Sequence, residues 1–120
     1  MVGKEEEMEG LERLYSSAEG KEVALEFESI KIPIKVKELG WSKKNQILGQ
    51  CFVYNADGSL SFNIDKYVKL CLVEIIVSAP WGETSMVFLN QIKSSFGDLL
   101  QTLVPRAFEE TKVSSFFDKE

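Results

Sequence analysis

The sequence predicts a single small α+β domain: an N-terminal antiparallel β element of two hairpin-like strand pairs, then a C-terminal bundle of three to four helices. Apolar residues first alternate with polar ones over residues 23–36, as in half-buried strands. From residue 64 onward they recur at three- and four-residue intervals, as in amphipathic helices. A chain of 120 residues that is 44% hydrophobic also suits one domain that folds without cross-links.

The chain is predicted to divide into an arm, a domain and a tail. Residues 1–20 form a flexible or weakly helical arm, in which Gly10 and a run of glutamates weaken a short amphipathic pattern. The apolar positions of that pattern are Met8, Leu11, Leu14 and Tyr15. A frayed helix and a disordered segment that orders on a partner are both open for this arm. Residues 21–110 form the domain, and residues 111–120 form a polar C-terminal tail.

Two alternating segments open the domain as strands. Their apolar positions are Val23, Leu25 and Phe27, followed by Ile30, Ile32, Ile34 and Val36. Pro33 lies on the polar face of the second segment and has no N–H to donate. It therefore predicts that this strand is at the edge of its sheet or contains a bulge.

A short helix and a second hairpin follow. Ser42 is predicted to cap a helix over residues 43–50, with Ile47 and Leu48 facing inward. An Asp-Gly pair at residues 57–58 separates two short aromatic segments, which is typical of a β-hairpin. The two strands of this hairpin are residues 52–54 and 60–62.

The clearest helical pattern begins after Asn63, its predicted cap, and ends at the segment 79–82. Its inward positions are Ile64, Tyr67, Val68, Cys71, Leu72, Ile75 and Ile76. Further apolar residues widen this face, so the helix is expected to be central and buried on most sides; they are Leu70, Val73 and Val77. Thr84 is predicted to cap a further helix, and Ser94 or Ser95 another. Pro105 predicts a kink or a new helix start.

Composition excludes several classes of function. A net charge of −5 is wrong for a nucleic-acid partner, because binding depends on neutralising phosphates with Lys and Arg. No apolar run approaches the roughly 18 residues of a membrane span, so no membrane partner and no secretory signal are expected. Two cysteines are too few for a disulfide framework. We interpret Cys51 and Cys71 as buried thiols in a reducing cytoplasm.

The chemistry-bearing residues favour a protein that is not an enzyme. Histidine is absent, which removes the commonest general base and metal ligand. The scattered glycines form no phosphate-binding loop, so no nucleotide cofactor is expected. Two cysteines 20 residues apart, without histidine, do not make a zinc site, so no metal is expected. Glu74 interrupts an apolar stretch, but the sequence shows no second carboxylate at a recognisable spacing. A small carboxylate-dependent enzyme remains only as an alternative.

Aromatic residues are candidates for contact with another protein. The segment 79–84, which contains Pro80 and Trp81, is favoured as a stiff corner between helices, with an exposed anchor as the alternative. Trp41 carries the same ambiguity. A surplus of phenylalanines offers more apolar surface than one small sheet covers, so a partner or a homo-oligomer is expected to take up some of it. They are Phe88, Phe96, Phe108, Phe116 and Phe117.

The order of these features resembles the small tail assembly chaperones of long-tailed phages and of related prophages or archaeal viruses. The segments that carry the resemblance are IKIPIKVKELGWSKKNQIL, DGSLSFNIDKYVKLCLVEIIVSAPWGET and FLNQI…FGDLLQTLVPRAFEE. Together they cover roughly residues 22–110. Many members of that family continue past the proline corner with more acidic residues and a longer C-terminal helix, which this chain lacks.

The resemblance implies a chaperone or adaptor in the host cytoplasm. Its client would be the amphipathic helices of a tape-measure-type protein, which it would hand to tail-tube subunits. Binding would place a helix in an apolar groove with an acidic rim. The candidate contacts are Leu72, Ile76, Trp81, Phe88, Leu100 and Phe108. The alternative within the same setting is a structural virion component, such as a head–tail connector or a tail completion protein.

Overall fold

A computed structural model describes residues 19–107 of the chain, which contain five strands and four helices. The elements are β1 (Lys21–Phe27), β2 (Ile30–Val36), α1 (Trp41–Gln50), β3 (Phe52–Tyr54), β4 (Leu60–Phe62), α2 (Ile64–Ile75), β5 (Ile76–Ser78), α3 (Met86–Leu89) and α4 (Ser94–Gln101). The first sheet is antiparallel in the order β1-β2-β5, and the second is the two-stranded hairpin β3-β4. A mixed α+β fold with antiparallel strands is therefore confirmed.

The β1–β2 hairpin has the register that the alternating pattern requires. Val23 pairs with Ile34 and Leu25 with Ile32, so the apolar side chains share one face. On the other face two pairs of opposite charge lie directly across from each other: Glu22 with Lys35, and Glu26 with Lys31. The hairpin turns at Glu28 and Ser29, both of which have positive φ.

A third strand in the first sheet was not predicted. The helix expected to run through Val77 ends at Ile75, and the next three residues form β5 beside β2. The backbone N–H of Lys37 donates to the Ile75 carbonyl at 3.0 Å at this transition. Ile76 and Val77 are β-branched, which suits a strand better than a helix end. Their apolar pattern alone fits either element.

Pro33 is tolerated within β2 because β5 is too short to pair with that part of the strand. The strand is central in the sheet order, but β5 pairs only with Lys35 and Val36, and the register shifts between those two residues. Pro33 pairs with Ala24 of β1 alone, so its missing N–H interrupts no ladder on the side of β5. The edge alternative is wrong, since β2 is the central strand of its sheet. The other alternative has partial support, because the register shifts at Lys35 and Val36, and the part of β2 that contains Pro33 does not pair with β5.

Helices α1 and α2 enclose the smaller of two core clusters. Its buried members are Ile47, Cys51, Tyr67, Cys71 and Ile75. Asn63 caps α2 as predicted, because its side chain accepts a hydrogen bond from the Lys66 N–H at 3.1 Å. The predicted cap of α1 was wrong: Gly40 precedes the first helical residue, Trp41, and gives no side-chain hydrogen bond. α2 is also less enclosed than expected, since Ile64 and Val73 are exposed.

The C-terminal helices are shorter than the pattern suggested. α3 is one turn, and its cap is Ser85 rather than Thr84. α4 begins at Ser94 and ends at Gln101, and residues 105–107 are not helical, so the helix start predicted at Pro105 is wrong there. The predicted bundle of three to four helices is not confirmed. α4 instead reaches the sheet, where the ring of Phe96 lies 5.1 Å from that of Phe27.

The larger core cluster lies between the first sheet and the C-terminal helices. Its buried members are Leu25, Ile34, Leu72, Ile76, Leu89 and Leu100. Val36, Val68 and Val104 pack against both clusters, so they join the two halves of the interior. The predicted arm lies outside the described residues except for positions 19–20, and the predicted tail lies outside them entirely.

Candidate protein-binding surfaces

Five of the six predicted partner contacts lie together in or against the larger core cluster. They are Leu72, Ile76, Trp81, Phe88 and Leu100. The leucines and the isoleucine are buried, whereas Trp81 and Phe88 are half-buried. Phe108 lies outside the described residues. In this conformation Leu72, Ile76 and Leu100 are covered by neighbouring side chains and offer a partner almost no surface. The six predicted contacts therefore stay a prediction.

The segment that contains Trp81 is a structural corner. Its indole stacks on Phe88 with ring centroids 5.0 Å apart and meets Phe96 edge-on at 5.7 Å. The indole Nε1 donates a hydrogen bond to Thr84 Oγ1 at 2.8 Å, and Thr84 is buried. This arrangement satisfies the polar end of the indole while its apolar body covers the core. The indole covers the core as the favoured prediction held, but the corner joins strand β5 to α3 rather than two helices. The hydrogen bond to the indole also occupies the Thr84 hydroxyl, which does not cap α3.

An open groove runs between α2 and the α3–α4 segment; we call it the α2–α4 groove. It encloses about 310 Å³. Its apolar lining residues are Ile64, Val68, Leu72, Leu89 and Ile92, and its polar ones are Asp65, Lys69, Lys93, Ser94, Asp98 and Gln101. An apolar floor with a polar rim is the general form of a site that takes the apolar face of a helix.

Charges of both signs are fixed along the rim of the α2–α4 groove. Lys69 Nζ lies 2.7 Å from Asp65 Oδ2 and 2.5 Å from Asn90 Oδ1, which joins α2 to the end of α3. Lys93 forms a longer pair with Glu28 at 3.5 Å, across to the β1–β2 turn. The rim is therefore not acidic alone, as the resemblance implied, but mixed.

The β3–β4 hairpin exposes a second apolar surface. Phe52 pairs with Phe62 and Tyr54 with Leu60, which places these four side chains on one face. Phe62 packs inward with its ring 5.7 Å from that of Tyr67. Tyr54 is 79% exposed, Leu60 53% and Phe52 41%. We call these three residues the hairpin patch.

The turn of this hairpin is held by a dense set of hydrogen bonds. Gly58, at φ +88°, donates its N–H to the Asn55 carbonyl at 3.0 Å, and Asn55 N–H donates to the Ser59 carbonyl at 2.8 Å. The Asn55 amide also donates to Ser59 Oγ and Ser61 Oγ. Asp57 Oδ1 accepts from the N–H and hydroxyl of Ser59, which lowers the pKa of that carboxyl. The hairpin patch is thus presented on a preorganised turn.

Only two of the five phenylalanines in the predicted surplus lie within the described residues. These two, Phe88 and Phe96, pack against the larger core cluster, so they are not surplus. Within residues 19–107 the exposed rings lie in β3 and at Trp41, which is 80% exposed. The hairpin patch was missed because aromatic strands usually face a core. The sequence did contain a signal for this exposure. Two strands of only three residues each make a sheet too small for both of its apolar faces to be covered.

Glu74 is accounted for by ion pairs. Its carboxylate lies 2.9 Å from Lys37 Nζ and 3.8 Å from Lys43 Nζ, so it links α2 to the loop after β2 and to α1. All three side chains are about a third or more exposed, so each pair contributes only a few tenths of a kcal/mol. This is the water-facing flank that the sequence favoured.

Both cysteines are buried free thiols, as expected. Cys51 Sγ donates to the Ile47 carbonyl at 3.1 Å. Burial raises the pKa of each thiol, which keeps it protonated and poorly nucleophilic at neutral pH. Residues 19–107 hold no group of three or more potential metal ligands, and none of their helices is long and apolar enough to cross a membrane.

Comparison with known proteins gives no match: no family model, no curated protein and no solved structure is significantly similar to this chain.

Proposed function

We propose that this chain is a non-catalytic protein-binding domain that holds an amphipathic helix of a client protein in the α2–α4 groove. The observation that carries the proposal is the groove itself, with an apolar floor between helices and a rim of fixed polar groups. An amphipathic helix buries its apolar stripe in such a groove and keeps its polar side chains at the rim.

The rim also favours a particular kind of client. Lys69 and Lys93 line the groove together with Asp65 and Asp98. A helix with acidic and basic residues flanking its apolar stripe can satisfy both signs, whereas a strongly acidic or strongly basic helix meets like charges on one side. We expect micromolar affinity, because the groove is small and open and a long client offers many such helices.

The resemblance described above supplies the more specific hypothesis. On that hypothesis the client is a tape-measure-type tail protein, the domain keeps its helices from aggregating in the host cytoplasm, and tail-tube subunits later displace the domain. The support for this step is the order of sequence features over residues 22–110, together with a groove suited to helices.

The groove is tested by a charge placed at its edge. Ile64 lines it and is 55% exposed, so Ile64→Glu should fold normally but put an unpaired carboxylate against the apolar face of the client. Binding of a helical fragment of the tail protein, measured by fluorescence anisotropy, should weaken at least tenfold. Val87→Glu is the matched control, because Val87 is 66% exposed on α3 and does not line the groove. Equal losses in both variants, or none in Ile64→Glu, would refute the groove as the site.

The client is tested by affinity purification from cells that express the neighbouring genes. Recovery of a long helical tail protein is expected, and its solubility should depend on the presence of this chain. Recovery of neither a tape-measure nor a tail-tube protein would refute the specific hypothesis. Finding this chain in purified particles would instead favour a structural virion component, since a chaperone leaves before assembly ends.

A further inference from the structure

The α2–α4 groove adjoins the point where the described part of the chain ends. A second cavity, of about 470 Å³, is lined in part by residues 105–107. It shares three lining residues with the groove, so the two adjoin: Ile64, Val68 and Gln101. The chain that continues from residue 107 therefore starts at one end of the groove.

Two contacts fix the position of this chain end. The hydroxyl of Tyr67 donates a hydrogen bond to the Pro105 carbonyl at 2.8 Å, and Ala107 packs against the smaller core cluster. The residues after Ala107 thus begin beside the first two turns of α2, within reach of the groove.

The sequence that follows contains an apolar stripe. Residues 108–120 are mostly polar, but Val113, Phe116 and Phe117 lie at positions i, i+3 and i+4, the spacing of one helix face. The groove encloses about 310 Å³, near the lower end of the roughly 300–1,000 Å³ of small-ligand sites. A groove of this size takes a few large side chains from one face of a helix, and two adjacent phenylalanines are of that kind.

The charges around the stripe suit the mixed rim of the groove. Lys112 precedes the stripe and Asp118 follows it, so both signs flank the apolar residues. The rim likewise carries both signs, with Lys69 held beside Asp65. A segment of mixed charge approaches such a rim without the repulsion that a segment of one sign meets on one side.

The chain between Ala107 and the phenylalanines has a length that matches the groove. Eight residues, 108–115, separate Ala107 from Phe116, and an unstructured stretch of that length spans roughly 15 Å on average. Along α2 the groove runs from Ile64 to Leu72, which is about 12 Å. A tether that matches its span gives an effective concentration in the millimolar range. This favours the chain's own segment over a second copy or another protein, because those must reach such a concentration in free solution.

From these observations we infer that residues 108–117 dock in the α2–α4 groove of their own chain. Phe116 and Phe117 pack toward Leu72, while the polar residues before them pass Ile64. The docked segment competes with a client helix for the same surface. This consequence rests on the proposed function, whereas the docking itself does not.

The competition has a predictable size. At an effective concentration of about 1 mM, a weak segment with an intrinsic dissociation constant of about 0.1 mM occupies the groove roughly nine-tenths of the time. A client then meets an open groove in about one molecule in ten, so its apparent affinity falls about tenfold. The segment covers the apolar floor until a tighter-binding helix displaces it.

The docking is tested on the full chain with no client present. Cys51 and Cys71 have no exposed surface, so Ser115→Cys supplies a single accessible thiol for a nitroxide spin label. The label broadens the amide NMR signals of residues close to it. Broadening is expected at Ser94 and Gly97, which line the groove.

Two double variants of the labelled chain separate docking from mere proximity. Phe116→Ser with Phe117→Ser removes the stripe and should abolish most of the broadening. Glu109→Ser with Glu110→Ser is the matched control, because it changes two residues of the same segment and leaves the stripe intact; the broadening should persist. All four positions lie outside residues 19–107, and unchanged chemical shifts away from the groove check that each variant is folded.

Three results would overturn the docking. Broadening at Gly58 but not at Gly97 would place the segment on the hairpin patch instead. Equal broadening in the two double variants would show that the phenylalanines do not bind. Broadening of unlabelled, ¹⁵N-enriched chains that are mixed with labelled ones would show that the segment docks between copies.

The helical client fragment then tests the consequence separately. It should bind the variant that lacks Phe116 and Phe117 about tenfold more tightly than the parent chain. Equal affinity for the two chains, with the broadening present, would refute the competition. If the broadening is present but the fragment binds neither chain, the docking is supported and the proposed function is refuted. If the fragment binds both chains equally and the broadening is absent, the docking alone is refuted.

Discussion

The same substitution, glycine to alanine, should change stability in opposite directions at two positions nine residues apart. Gly49 is in the last turn of α1, and a Cβ added there meets no atom within 4 Å. Gly58 is in the β3–β4 turn with φ at +88°, and a Cβ there is equally free of contacts. Backbone conformation is therefore the main difference between the two sites.

The magnitudes follow from that difference. Alanine in a helix is favoured over glycine by roughly 0.5–1 kcal/mol, and the position near the helix end places Gly49→Ala at about 0.5 kcal/mol of stabilisation. A left-handed backbone costs an L-residue roughly 1–2 kcal/mol, so Gly58→Ala should destabilise by about that amount. The variants should differ by about 2 kcal/mol. At roughly 4 °C per kcal/mol, that is a difference of about 8 °C in Tm.

Urea denaturation followed by circular dichroism measures both changes. The slope of the unfolding free energy with urea should be the same for both variants, because neither alters the surface exposed on unfolding. Gly58→Asn is the internal control, since asparagine tolerates the left-handed region and should recover part of the loss. A Gly58→Ala variant as stable as the parent would show that the turn does not hold this backbone. A destabilised Gly49→Ala would show that α1 ends earlier.

Three other changes test the rest of the fold. Asn63→Ala should cost about 1 kcal/mol in urea denaturation, because the Lys66 N–H loses its cap. Leu100→Ala should cost roughly 2–5 kcal/mol while Val87→Ala stays within about 0.5, since only the leucine is fully buried; similar costs would contradict the packing of α4. The pKa of each buried thiol is raised above its unfolded value of about 8.5, so its contribution is complete below that pH and is lost as pH rises toward the folded value. Unfolding midpoints between pH 7 and 10 should therefore fall less steeply when both cysteines are alanine.

Local sequence was sufficient to predict those strands, turns and helix starts whose signals lie within the element itself. The alternation through β1 and β2 predicted two half-buried strands and their apolar faces, Asn63 predicted the start of α2, and the Asp-Gly pair predicted the second hairpin. In each case the signal and its structural partner lie within a few residues, so short-range hydrogen bonding and side-chain periodicity decide the outcome.

Long-range pairing explains where the prediction failed. Ile76 and Val77 continue the helical phase of α2, yet they form β5 because Lys35 and Val36 offer an open strand edge to pair with. Thr84 has the residue type of a cap but is used by the indole of Trp81. Neither partner can be read from the segment itself, since each depends on which elements meet in the folded chain.

The candidate surfaces also depend partly on local sequence and partly on long-range contacts. The sequence by itself determined that this is an acidic chain with no histidine, and it predicted the α+β class and the two buried thiols. Only the tertiary structure decided which aromatic residues are left over, because burial depends on the neighbours that packing supplies. Phe88, Phe96 and Trp81 cover the core, whereas Tyr54 and Leu60 lie on a hairpin with no further layer on their face within residues 19–107. An apolar side chain has the same preference for burial in both places, and it is the presence or absence of a facing layer that makes one a core residue and leaves the other exposed.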